Sequence, residues 1–89
     1  MYINKAKILN NPDRVIVKVT TVPIQKPWNA GEHMINTLRN VSQVCNGAYL
    51  CTSRGDRWYV FPSAYDALRF KVVVDTLYPN FNVALENPD

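Results

Sequence analysis

The stretch from Ala48 to Pro62, AYLCTSRGDRWYVFP, constrains this chain more than any other. Two short runs of strand-forming residues flank Gly55-Asp56, which reads as a two-residue hairpin turn with glycine supplying a positive φ. Pairing across that turn sets Arg54 opposite Arg57, Ser53 opposite Trp58, Thr52 opposite Tyr59, Cys51 opposite Val60 and Leu50 opposite Phe61. Successive strand residues point to opposite faces. One face then carries Tyr49, Cys51, Trp58 and Val60, and the other Leu50, Thr52, Arg54, Arg57, Tyr59 and Phe61. Both faces hold large apolar side chains, so one is core and the other needs cover. The face with Tyr59 and Phe61 ends in two arginines, so the Cys51/Val60 face is expected to meet the helices. Cover for Leu50, Tyr59 and Phe61 would come from a Pro-rich loop carrying Ile24 and Trp28, a second copy of the chain, or a partner.

The remaining elements follow from periodicity and punctuation. Residues 2–9 and 14–21 read as strands joined by a turn at Asn10-Asn11-Pro12-Asp13, which places Ala6, Ile8, Val15, Val17 and Val19 on one face and Lys5, Lys7, Arg14, Ile16 and Lys18 on the other. Residues 22–30, VPIQKPWNA, hold two prolines and read as an extended loop. A helix is expected over roughly 31–45, with Asn29 as N-cap and Met34, Ile35, Leu38, Val41 and Cys45 at helical spacing, ended by Asn46-Gly47. Ser63 with Asp66 forms a capping-box pattern for a second helix, whose stripe is Ala67, Phe70, Val74 and Leu77. Phe81, Val83 and Leu85 alternate as a last strand. The order β-β-α-β-β-α-β predicts a single α+β domain over residues 1–89, an antiparallel sheet with two helices on one face. Without its first strand the order is that of the ferredoxin-like, split β-α-β arrangement.

Composition narrows the function classes. In 89 residues no apolar run exceeds four, and the N-terminal segment has no apolar stretch of the signal-peptide kind. The expectation is a soluble, cytoplasmic protein without a membrane partner. Cys45 and Cys51 then read as buried, reduced thiols, and with His33 they show no metal-ligand spacing. No cofactor or metal is expected. His33 is the only histidine, the carboxylates are scattered, and three glycines build no phosphate loop, so catalysis has no evident equipment. Arg54-Gly55-Asp56 matches an adhesive tripeptide by letter but reads as a charged turn.

Two binding readings remain. The first is a small non-catalytic protein-binding module, acting as a subunit, adaptor or inhibitor; a virus-encoded inhibitor of a host complex, working in the host cytoplasm, would fit the size. Its contact residues would be Leu50, Arg54, Arg57, Tyr59 and Phe61 on the open hairpin face, with Trp28 on the loop, and its partner another protein or a second copy in a homodimer. The alternative is a nucleic-acid-binding module, with Lys5, Lys7, Arg14 and Lys18 on phosphates and Tyr59 or Trp58 stacking on bases. The net charge of +3 permits an anionic partner. In RGDRWYVF, residues 54–61, Arg54, Gly55, Trp58 and Phe61 loosely resemble the ribonucleoprotein motif of RNA-recognition domains. Asp56 and Arg57 depart from it, and RVIVKV lacks the partner aromatic, so the chain is not assigned to that family. The motif would turn Trp58 outward and Phe61 inward, opposite to the facing expected above.

Overall fold

The computed structural model describes residues 5–22 and 30–86. They form an α+β fold of three helices and a four-stranded antiparallel sheet: α1 (Lys5–Leu9), β1 (Val15–Thr20), α2 (Ala30–Val44), β2 (Ala48–Ser53), β3 (Asp56–Phe61), α3 (Ala64–Leu77) and β4 (Asn82–Glu86). The strand order is β2-β3-β1-β4, so β1 and β3 are central. β1 runs antiparallel to β3 with Val15 opposite Phe61, Val17 opposite Tyr59 and Val19 opposite Arg57. On its other side Val19 faces Val83 and Val17 faces Leu85 of β4.

This register decides which face is core. Val15, Val17 and Val19 alternate with Ile16, Lys18 and Thr20, and the valines are buried. Strand partners directly opposite each other share a face. Tyr59 and Phe61 therefore point with the valines toward α2 and α3, where they join Met34, Leu38, Phe70 and Val74 in one apolar cluster. Phe70 is the centre of the aromatic packing, with ring centroids 5.1 Å from Tyr59 and 4.9 Å from Phe61. Both long helices thus cover one face of the sheet.

The N-terminal segment corrects the expected strand over 2–9: residues 5–9, KAKIL, are helical. Alternation over so few residues does not separate the two periods, and Lys, Ala and Leu favour helix. The sheet also leaves no place for that strand beside β1, whose two edges are taken by β3 and β4. The helix packs against β3 and buries Ile8. Val60 points away from α2 and α3 yet is fully buried, and α1 packs against this strand with Ile8 buried. Asp13 N–H donates to Asn11 Oδ1 at 2.9 Å and closes the loop into β1.

The caps fall where the sequence places them. Asn46 takes φ 65° after α2 in place of a glycine, and the Gly47 amide donates to Ser42 O at 2.7 Å. Gly47 then passes so close to Phe61 that a Cβ there would strike the ring and lie 2.8 Å from Val60 O. Ser63 Oγ accepts from the Asp66 amide at 3.3 Å, the N-cap bond of α3, and donates to Asp66 Oδ2 at 3.1 Å, so the two side chains expected to cap this helix are in contact. Asn46 Nδ2 donates to the other carboxylate oxygen of Asp66 at 3.4 Å and links the two helix ends.

Candidate interaction surfaces

The hairpin differs from its expected register in two ways. Its turn is Arg54-Gly55, with φ of 55° and 85°, and Ser53 opposite Asp56 closes it. Positive φ at both central residues is the type I′ geometry whose twist suits a hairpin. A bulge between Tyr49 and Cys51 then shifts the register again. The bulge moves Tyr49 onto the face of Thr52, Arg57, Tyr59 and Phe61, which meets the helices, while Cys51, Trp58 and Val60 face the back.

The expected partner site is therefore not assembled. Tyr59 and Phe61 are 2% and 0% exposed and belong to the core, because the β1 valines opposite them dictate the facing. Leu50 sits half-buried at the bulge, Arg54 is exposed on the turn, and Arg57 is half-buried at the helix-facing end of β3. Trp28 and Ile24 lie outside the described residues, as does the proposed cap Asn29. Cys51 is exposed rather than buried, since the face it shares with Trp58 and Val60 is the back of the sheet; Cys45 is buried as expected, and burial raises its thiol pKa.

The lysine face is dispersed as well. Lys5 and Lys7 are on α1, so Lys5 does not oppose Lys18. Arg14 is half-buried and its Nη1 donates to Asn11 O at 3.3 Å. Lys18 lies opposite Trp58 on the back face, with Nζ 5.8 Å from the indole and 3.8 Å from Glu86.

A surface that the periodicity did not single out lies on α3. Its core side is Asp66, Ala67, Phe70 and Val74. At 100° per residue, Tyr65, Leu68 and Val72 fall on the opposite side. They are 70%, 50% and 64% exposed. With Arg69 and Val73 they line an open groove of about 330 Å³ whose walls are almost wholly apolar. Arg69 stacks over Tyr65 at 5.7 Å and reaches Asp66 at 3.5 Å, so its charge is partly answered within the helix. Leu77, expected in the core stripe, is half exposed at the helix end. The signal was present in Val72-Val73-Val74: three successive helical residues span 200°, and only one can point straight at the core.

A polar cluster occupies the corner between α2, β2 and β3. Tyr49 packs edge-on against Tyr59 at 5.7 Å, and its hydroxyl lies 2.6 Å from Thr52 Oγ1. Arg57 Nη1 donates to the same Thr52 oxygen at 3.2 Å, and Arg39 of α2 stacks over Tyr49 at 5.7 Å. Burial pushes the Tyr59 phenol up to about 12, against the opposing pull of Arg57 and Arg39.

Among the described residues no cluster of His, Cys, Asp and Glu is placed to hold a metal, and no helix is long and apolar enough to cross a membrane. Comparison with family models, curated proteins and solved structures finds no match to this chain.

Proposed function

We propose that this protein is a small non-catalytic protein-binding module whose contact surface is the outer face of α3. The observation that carries the reading is the exposure of Tyr65, Leu68 and Val72 directly opposite the buried Phe70 and Val74. A helix apolar on both sides belongs between two packing surfaces, and the sheet supplies one of them. Contiguous exposed apolar residues with an aromatic and an arginine are the composition of an interface anchor. The partner is another protein or a second copy. The winding supports a scaffold of the split β-α-β, ferredoxin-like kind without an added N-terminal strand: α2 joins β1 to β2 across β3, and α3 joins β3 to β4 across β1.

Site-specific photo-crosslinking in the native cell tests the surface. A crosslinker at position 68 or 72 should give discrete protein adducts, and one at position 84 on the back face should not. Adducts at 84 with none at 68 or 72 would move the interface to the other side of the sheet. The nucleic-acid alternative keeps one supporting observation, the pairing of Trp58 with Lys18 on the back face. It predicts tight, steeply salt-dependent binding of single-stranded RNA that Trp58→Ala abolishes.

A further inference from the structure

The corner between α2, β2 and β3 holds two arginines that no carboxylate answers among the described residues. Among the described residues the ion pairs are Lys18–Glu86, Arg69–Asp66 and Lys71–Asp75, and neither Arg39 nor Arg57 enters one. The partners they do have are neutral: an aromatic ring for Arg39 and a hydroxyl for Arg57. Arg57 Nε is moreover buried with no hydrogen-bond partner among the described residues. Burying an unpaired N–H of a charged group is costly, and such a group in a folded protein calls for an explanation. The two guanidiniums meet adjoining members of one cluster: Arg39 stacks over Tyr49, Arg57 donates to Thr52, and the Tyr49 and Thr52 hydroxyls lie 2.6 Å apart. Asp56 and Ser53, the next pair along the hairpin, alternate to the opposite face and supply no counter-charge here.

We propose that this corner binds a phosphate group, held by the guanidiniums of Arg39 and Arg57 with the hydroxyls of Tyr49 and Thr52 beside it. Two fixed positive charges on separate elements call for a dianion. A carboxylate neutralises one of them, whereas a phosphate monoester or inorganic phosphate carries close to two negative charges and several acceptor oxygens. Arginine forks suit those oxygens, and the hydroxyls complete a polar rim at the open edge of β2. The site is separate from the outer face of α3 and does not rest on the role proposed for that face.

The experiment is a nuclear magnetic resonance titration of the whole chain with inorganic phosphate, at ionic strength held constant with chloride. The expected result is saturable shifts confined to signals of residues 39, 49, 52, 57 and 59. Arg39→Gln, which changes an exposed position on α2, should weaken the affinity about tenfold or more, and Arg57→Gln should do the same. Lys5→Gln removes the same charge from α1 and should leave the affinity unchanged. Acetate at equal concentration should produce weaker shifts. Linear, unsaturable shifts, equal losses in the Arg39 and Lys5 variants, or acetate matching phosphate would each overturn the proposal. Parallel titrations with phenyl phosphate and inorganic phosphate distinguish a monoester ligand from the free ion.

Discussion

Gly47 is the position where a single atom matters most. A β-carbon there would collide with Phe61, which is itself clamped between the sheet and Phe70, so neither can yield cheaply. Gly47→Ala should cost about 1–3 kcal/mol through overpacking, read as a lower unfolding midpoint in urea with an unchanged slope. Tyr59 makes a second prediction. Its ordinary pKa of 10.0 is raised to about 12 by burial, so the fold favours the neutral phenol. Stability from this group is complete below pH 10 and is lost as pH rises through about 12, a change of up to about 3 kcal/mol. Alkaline unfolding followed with tyrosinate absorbance should therefore show Tyr59 ionising with the transition, and Tyr59→Phe should remove that part of the pH dependence. The cysteines divide the same way: Cys51 is exposed and should react with a thiol reagent in the native state, while the buried Cys45 should react only on unfolding. At this scale the sequence was legible where chemistry is local. Ser63, Asp66 and Asn46 cap as their types and spacing require. Tyr59 and Phe61 were not legible, because their facing depends on β1, a strand some forty residues away whose pairing leaves no local mark.

At the scale of elements, α3 shows why a stripe is an incomplete description of a helix. Ala67, Phe70 and Val74 meet the core as their spacing indicates, but Tyr65, Leu68 and Val72 form a second stripe behind them. Counting matches to one template finds the first and passes over the second. The two stripes separate experimentally. Phe70→Ala opens a cavity under Tyr59 and Phe61 and should cost about 3–5 kcal/mol. Leu68→Ala, at a half-exposed site, should change stability by less than about 1 kcal/mol. The hairpin taught a related lesson. Its two strands were recognised from alternation and a glycine, but moving the turn to Arg54-Gly55 and adding a bulge at Tyr49–Cys51 reassigned every partner of β2. Within β3 the grouping survived, with Trp58 and Val60 on one side and Tyr59 and Phe61 on the other; only the choice of inside reversed. The short N-terminal element was ambiguous by period, and the competition for the edges of β1 excludes it from the sheet.

For the molecule as a whole, the α+β class, the antiparallel sheet and the placement of both long helices on one face could be read from the order of elements. The surface proposed for binding could not, because it depends on which apolar side chains remain after the core is satisfied. The sheet takes one side of α3, α1 packs against β3, and the outer side of α3 is left with Tyr65, Leu68 and Val72. The most direct test of that account is Leu68→Asp combined with Val72→Asp, compared with wild type for thermal stability and for recovery of bound proteins from native cells. The prediction is a melting temperature within a few degrees of wild type, since both sites face solvent, together with loss of about 90% or more of the bound partner, as expected when an interface anchor is removed. Undiminished recovery by a folded double variant would contradict the assignment of α3 as the binding face.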